Sequence, residues 1–564
     1  MTEPDVRALV AVLMMGVALS SAAPTFAQDA GDAPAVVEKA ALVVIAPAKS
    51  DVAKVIKSNL QAAYYGAKPG TRAYAQAQKL YYFYGSRGFE PIWLTTGADG
   101  NPAFSPNAGK IIDVFKGAEL EGLRPSDYLS PDLDPSAAGS DPAKLASLET
   151  AFSAATMNYA QDAYGGRINP LDVNALLVIA PKKLDAADTL TKLAASDDPA
   201  KFLLDLDPPH KEFQLLKTAL AKFYDKDAVK TETITIPDGP TLKLGMSDER
   251  VPQLRERLAV PAPEIPEGAA DAKVDTTYDK DLVAAVKAFQ ASLGLTADGI
   301  MGPATVAALN GAGTVSKDDI VANMERWRWE PNDFGDFHVE VNIPEFTVWI
   351  VKDGKPVHST RVVVGRPTNQ TPVFSDEIEN IVVNPYWNVP PSIAAGEIKP
   401  HLLSNPYYLE SQNMEMLGGG GVINAATIDW TTTNINNYSI RQKPGPGNAL
   451  GKVKFLFPNE HNIYLHNTPS KSLFSRAFRA YSHGCVRVQN PMDFAGALIE
   501  TNPELTLARI EDLEGPKEKW ITLQNHIPVH LMYFTLRVDA DGTIRSYGDV
   551  YGHNKKLIEL LNAE

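Results

Sequence analysis

Tyr481-Ser482-His483-Gly484-Cys485-Val486-Arg487-Val488 contains the only cysteine in a chain of 564 residues. In an extended segment side chains at i and i+2 share a face, so His483 and Cys485 are expected to meet, with Gly484 adding no bulk between them. A thiol beside an imidazole is a nucleophile beside its base. The other local reading is a small buried apolar cysteine with a surface histidine nearby. Arg487 continues the same face, where a guanidinium suits a substrate carboxylate or, equally, an ordinary surface ion pair. Ser482 is expected to hydrogen-bond rather than attack, because the stronger nucleophile lies three positions on. The backbone N–H groups of Gly484 and Cys485 are the candidate oxyanion hole, and the glycine lets substrate approach the backbone.

A free thiol needs a neighbouring cation or base to reach its reactive anionic form near neutral pH. His483 is the expected base, and as an imidazolium it returns the proton to a leaving amine. No carboxylate lies close in sequence to orient the ring, so a backbone carbonyl is the expected partner. The ten histidines show no zinc-type spacing with the lone cysteine, and neither a metal nor a cofactor is expected. Gly418-Gly419-Gly420-Gly421 lacks the Lys-Ser/Thr of a phosphate-binding loop and reads as a hinge.

Length suggests three or four domains. A formal net charge of -15 argues against nucleic-acid binding, which needs an excess of Lys and Arg. At the N-terminus the apolar run Ala8 to Leu19, followed by small residues, reads as a secretory signal peptide over residues 1–27, with an uncleaved anchor in the inner membrane as the alternative. Glu3 and Asp5 depart from the usual net-positive start. Export then bears on the cysteine: a lone thiol in an oxidising compartment makes no intramolecular disulfide and is retained for its reactivity.

Residues 28–54 read as a linker, and residues 55–235 as a helical scaffold with amphipathic spacing over Tyr74–Tyr84 and Pro142–Arg167. The aromatic cluster Tyr81, Tyr82, Phe83, Tyr84 and Trp93 reads as helical core rather than a stacking platform for sugars. A separate unit over 241–313 has Leu282, Val286, Phe289 and Leu293 at helical spacing, then Asp298-Gly299-Ile300-Met301-Gly302-Pro303-Ala304-Thr305. From about residue 336 the period changes to alternation, with strands expected over His338–Val351, Ser359–Val364, Ile378–Val383, Val453–Phe457 and Asn462–His466. Residues 390–446 interrupt this β-rich domain of 336–510, and residues 511–564 add strands and a helix from Asn554 that complete it or the scaffold. An insertion of that length inside a domain is usually functional or mobile.

Phe289-Gln290, Leu293-Gly294-Leu295 and Asp298-Gly299-x-x-Gly302-Pro303-x-Thr305 resemble the small three-helix peptidoglycan-binding domain. A helical spacer that keeps that fold without its ligand is the alternative. Ile463-Tyr464-Leu465-His466-Asn467-Thr468-Pro469 followed by Ser482-His483-Gly484-Cys485 and Arg487 resembles the signature of L,D-transpeptidases with a YkuD-type domain. The whole arrangement is similar to the large periplasmic members of that family, on Gly88-Phe89-Glu90-Pro91-Ile92-Trp93 and Tyr164-Gly165-Gly166-Arg167 in the scaffold.

The resemblance implies a multidomain α+β chain: a helical scaffold domain, a three-helix peptidoglycan-binding domain and a β-rich catalytic domain with an inserted capping subdomain. It implies Cys485 as nucleophile, His483 as general base and acid, and the Gly484 carbonyl orienting the ring. His466, Arg487 and Ser482 line the substrate pocket, with Tyr464 and Trp387 as walls of the cleft unless they are core. The implied substrate is peptidoglycan, with a tetrapeptide stem as donor and the amine of a diamino acid as acceptor. Carbapenems are the expected inhibitors and periplasmic wall-synthesis proteins the expected partners. An L,D-carboxypeptidase, a transpeptidase that anchors a wall protein, and a non-catalytic wall-binding protein remain as alternatives.

Overall fold

The computed structural model describes residues 44–97, 100–130, 138–224, 234–258, 260–261, 275–292, 296–311, 315–476, 478–539 and 541–563. The expected signal peptide, the linker to residue 43 and Leu293-Gly294-Leu295 lie outside the described residues. The chain is a multidomain α+β protein with a helical scaffold, a small three-helix unit and a β-rich domain.

The linker expected to residue 54 becomes helical earlier. Ser50 caps α1 (Asp51–Gly66) by accepting from Ala53 N, and Ala53, Ile56, Leu60 and Tyr64 form its buried face. This face packs with α2 (Arg72–Ser86) and α3 (Pro142–Gly165). Tyr81, Phe83, Tyr84 and Trp93 are all buried in this core, so the aromatic cluster is packing. Glu149 of α3 accepts from the Tyr84 hydroxyl (2.6 Å), Ile92 N (2.7 Å) and Trp93 N.

The three-helix unit packs α4 (Val251–Arg257), α5 (Lys280–Ser292) and α6 (Pro303–Gly311) round Leu254, Leu282, Val286 and Val306. Its core reaches back beyond the expected start at 241, because Ile236 is fully buried in it. Gln290 explains the motif. Its amide donates to Asp298 Oδ1 (2.9 Å), Ile300 O and Thr305 Oγ1 (both 3.1 Å), and its carbonyl accepts from Gly299 N (2.8 Å). Gly299 has φ +71°, and a Cβ there would meet Val283 Cγ1 at 2.8 Å. The Phe-Gln…Asp-Gly…Thr phrase is therefore a staple of the fold.

The long helix α7 (Lys317–Trp329) starts in a capping box of Ser316 and Asp319, and buries Met324 through Trp329 on every side. It leads into the strands. The expected strand His338–Val351 is two strands, β1 (Phe337–Asn342) and β2 (Thr347–Lys352), because Pro344 has no N–H for a ladder and Phe346 turns the chain at φ +56°. Asp353-Gly354 then joins β2 to β3 (Lys355–Gly365), and β4 (Phe374–Val383) follows.

The insertion is a folded cap. Strands β5 (Trp387–Asn388), β6 (Met414–Gly418), β7 (Gly421–Ile423) and β8 (Ser439–Gln442) form a separate sheet in the order β5-β8-β6-β7. Its own core contains Ile393, Ile398, Leu402, Met416, Trp430 and Ile440.

The main sheet resumes with β9 (Val453–Leu456), β10 (Tyr464–His466), β11 (Ala480–Ser482), β12 (Val486–Val488) and β13 (Lys519–Met532). The order is β11-β3-β12-β10-β9-β4-β13-β1-β2, and β2 also pairs with β3, so the ladder closes on itself. The C-terminal β13 lies between β4 and β1, which makes it an interior strand of the catalytic sheet rather than an appendix.

Candidate active site

The strand β3 decides where the cysteine goes. Strand β11 runs parallel to it on one side and β12 antiparallel on the other, so His483-Gly484-Cys485 is the turn that carries the chain round its C-terminal end. Gly365, the last residue of β3, has to be glycine, because a Cβ there would lie 2.2 Å from Asn369 O. Arg366 N donates to Ser482 O (3.0 Å), and Gly365 N to Thr371 Oγ1 (2.9 Å). Ser482 staples the turn: its hydroxyl donates to Cys485 O (2.5 Å) and accepts from Gly484 N (3.1 Å).

Two sequence expectations change here. His483 and Cys485 are not alternate residues of one strand, since Gly484 has φ +122° and breaks the extension. The partners shown for the imidazole do not include the Gly484 carbonyl, which accepts from Thr371 Oγ1 at 2.6 Å. His483 Nε2 instead lies 2.6 Å from Glu397 Oε1 of the cap and 2.6 Å from Arg366 Nη2. With Gly484 N taken by Ser482, the N–H of Cys485 is the remaining backbone candidate for an oxyanion hole.

Cys485 is half-buried and packs against the sheet core, with its thiol donating to Asn462 O at 3.6 Å. Burial pushes the thiol up to about 11, while hydrogen bonds from Tyr464 and the charges of Arg487 and Lys454 pull it down. Tyr464 therefore touches the nucleophile, and its own phenol is held well above its ordinary range by burial and by Cys485.

Cross-strand register extends this neighbourhood. Arg487 on β12 pairs with His466 on β10, His466 with Lys454 on β9, Lys454 with Val382 on β4, and Val382 with Trp520 on β13. Directly paired residues share a face, so the row runs across five strands from beside the thiol to an exposed indole. His466 is buried, and burial together with Arg487 pushes it down to about 3, which keeps the ring neutral. Its Nδ1 bonds Asn467 O. Lys454 Nζ lies 5.9 Å from the Tyr464 ring centroid and 5.5 Å from that of Trp520. Trp387 stands at the root of the cap, paired with Gln442 and packed on the cap core.

The sequence reading missed Lys454, Arg366, Thr371 and Glu397. Lys454 left a local signal, as a cation between apolar Val453 and Phe455 in a strand. Glu397 left none, being 86 positions from His483. The scaffold also reaches the site: Val178 N donates to Val373 O and Val373 N to Leu176 O, both at 2.8 Å. That pairing brings Asn174 and Leu176 to an open cleft of about 430 Å³ shared with Asn369, Gln370, His461 and His483.

Residues 336–502 match the model of the YkuD family, described as an L,D-transpeptidase catalytic domain. Residues 247–309 match a "Putative peptidoglycan binding domain", and residues 78–220 a scaffold domain. The chain is 34% identical over 248 residues to the "Putative L,D-transpeptidase" of Haemophilus influenzae, covering 42% of this chain and 48% of that protein. It thus spans about half the length of that relative. A stretch of 96 residues is 35% identical to N-acetylmuramoyl-L-alanine amidase CwlL of Bacillus licheniformis, covering 17% of this chain and 26% of that one. Among solved structures, the L,D-transpeptidase from Stackebrandtia nassauensis is similar at 16% identity, covering 53% of this chain and 97% of that one with a TM-score of 0.20, too slight to bear on the fold. The domain matches, with the cysteine turn lying inside the first of them, identify the chain as one that carries a YkuD-type L,D-transpeptidase catalytic domain together with a peptidoglycan-binding domain.

Proposed function

We propose that the protein is an exported peptidoglycan L,D-transpeptidase. Cys485 attacks the carbonyl of the third residue of a tetrapeptide stem, expels the terminal D-alanine and forms a thioester. The side-chain amine of a diamino acid on a neighbouring stem then takes the acyl group, giving a 3-3 cross-link and contributing to cell shape. The observation that carries this reading is the setting of the thiol: half-buried, hydrogen-bonded by Tyr464 and flanked by Arg487, in a turn whose imidazole is held by the cap. Arg487 Nε is buried with no hydrogen-bond partner among the described residues, which suits it to a substrate carboxylate. A cap over such a site excludes water and so favours an amine over hydrolysis. Carbapenems, as acylating mimics of the donor, react at the same sulfur. The signal peptide delivers the chain to the periplasm, where it works alongside other wall-synthesis proteins.

The test is to incubate the mature protein with purified disaccharide-tetrapeptide and follow the products by mass spectrometry. A cross-linked dimer with free D-alanine is expected. A bare tripeptide as sole product would replace transpeptidation by hydrolysis, and no D-alanine release would end the enzyme reading. Removing residues 234–311 is expected to weaken pull-down by sacculi more than turnover of small muropeptides. Unchanged pull-down would reject a wall-binding role for that unit.

A further inference from the structure

Lys454 carries a buried charge that the protein itself leaves largely unanswered. Its side chain is 9% exposed, on the interior strand β9, and among the described residues no group accepts a hydrogen bond from its ammonium. Its ion-pair partner Glu518 stands 4.0 Å away, beyond hydrogen-bond reach. That carboxylate is already engaged, with Oε1 accepting from Tyr386 N at 2.8 Å and Oε2 from Trp520 Nε1 at 3.1 Å. Burial pushes Lys454 below its ordinary range, the mark of a cation short of acceptors. An anionic oxygen brought by a ligand would complete its shell.

The lysine belongs to the surroundings of the thiol. Tyr464 links the two, because it hydrogen-bonds Cys485 and its ring centroid lies 5.9 Å from Lys454 Nζ. Arg487 also acts on the thiol, but from two strands away, with the neutral His466 between, about 10 Å from Lys454 along the sheet. The contacts of Nζ with Glu518 and with the Trp520 ring, 5.5 Å from its centroid, lie towards β13, on the opposite side of β9 from Arg487. The face therefore offers two separate cations, one beside the sulfur and one beyond Tyr464. The exposed indole of Trp520, held by its bond to Glu518, walls the outer end.

We propose that Lys454, walled by Tyr464 and Trp520, is a specificity-determining residue that binds a second carboxylate of the donor stem, distinct from the one suited to Arg487. This inference rests on the peptidoglycan reading of the site. The carboxyl of the departing D-alanine adjoins the scissile bond and falls to Arg487, next to the sulfur. Two other carboxyls on a stem have the longer reach. One ends the side chain of the third residue where that residue is a diamino diacid, and the other is the free α-carboxyl of a γ-linked second residue. Each is about six or seven bonds from the scissile carbonyl carbon, or about 7–9 Å when extended. That is enough to pass the Tyr464 ring and meet the ammonium behind it.

The experiment compares D-alanine release by the full chain from disaccharide-tetrapeptides that are unmodified, amidated on the third-residue side chain, amidated on the second residue, or amidated on both. In the wild type, amidating the recognised carboxyl is expected to lower kcat/KM about 10- to 100-fold, chiefly through KM, and the donor that suffers names the source. Lys454→Met should lower kcat/KM for the unmodified donor by about the same factor and lose the discrimination, while Lys454→Arg keeps it. Equal rates on every donor in the wild type would overturn the proposal, a comparison that stands even if Lys454→Met fails to fold. Lys454→Met slowing every donor alike would also overturn it, and an upward shift in the pH profile of Cys485 alkylation would then assign the lysine to the thiolate. Protection of Cys485 from iodoacetamide by the same peptides reads binding without turnover. Carboxyl-dependent protection in a protein that releases no D-alanine would reject the transpeptidase reading and leave the subsite in place. Protection that ignores the carboxyls, or none at all, rejects the subsite.

Discussion

Cys485→Ala is expected to lower D-alanine release by a factor on the order of 10⁶, to background, while sacculus binding and the fold persist. The fold survives because the sulfur is half-buried and its turn is held by other groups: Ser482 on the Cys485 carbonyl, Thr371 on that of Gly484 and Arg366 N on that of Ser482. The activity does not survive because no second thiol exists in the chain. The size of the base's contribution follows from the thiol itself. Pushed up to about 11 by burial, it leaves about one molecule in 10⁴ ionised at pH 7. Direct alkylation in a His483→Ala variant should therefore rise about tenfold per pH unit from 7 towards 11, because the thiolate fraction does. Acylation by a carbapenem in that variant should fall about 10²- to 10⁴-fold. A carbapenem adduct persisting in Cys485→Ala would show that the nucleophile is elsewhere.

What the chain disclosed in one dimension was chemistry carried by rare residues. A lone cysteine with Ser482, His483 and Arg487 around it occupies six consecutive positions, and the structure places them on one turn and the strand that leaves it. Sequence periodicity located β3, β4 and β9 to within a few residues, since strands with one buried face alternate. It fused β1 with β2 because Ile343 and Phe346 are apolar and conceal a turn whose only overt mark is Pro344.

The partners of the imidazole were illegible for a different reason. Glu397 reaches His483 only because the cap folds as its own sheet on its own core, and an exposed glutamate on a short irregular turn has no pattern to mark it. Lys454 and Trp520 join the row from the thiol by register, which is set by strand order. That order places β9 and β13 beside strands from distant parts of the chain, so it cannot be read from any one segment. Two phrases that had meant only resemblance acquire physical reasons. Gly88–Trp93 closes over the buried carboxylate of Glu149 through the N–H groups of Ile92 and Trp93. Tyr164-Gly165-Gly166-Arg167 needs its glycines because a Cβ on Gly165 would strike Lys182 O at 2.2 Å, and one on Gly166 would strike Glu325 Oε1 at 2.6 Å.

That second phrase leads to the other large effect, Arg328→Met, which is expected to destabilise the union of scaffold and catalytic domain by about 3–5 kcal/mol. Arg328 on α7 has no solvent exposure. Its guanidinium donates to Glu121 O (2.5 Å) and Ala163 O (3.3 Å) in the scaffold, and lies 3.9 Å from Asp207 and 3.8 Å from Glu325. The methionine fills much of the space, so the loss comes from stranded charge rather than a cavity. Asp207 keeps Lys217 at 2.7 Å, whereas the support shown for Glu325 is the N–H groups of Arg167 and Ile168 and the charge of Arg167. Burial already raises Glu325 above its ordinary 4.5, and Arg328 is the foremost charge holding it down. Removing that charge raises it further. A carboxyl whose folded value is raised keeps its stability below the unfolded value and loses it as pH rises through the folded one. The deficit of Arg328→Met against wild type should therefore be small near pH 4.5 and grow towards pH 8, read as the shift in urea midpoint and as scaffold released by limited proteolysis. Glu325→Gln added to Arg328→Met should recover part of the deficit at pH 8 and flatten its pH dependence. A deficit equal at both pH values, or no recovery in the double variant, would place the effect in packing of the arginine stem rather than in the buried carboxylate.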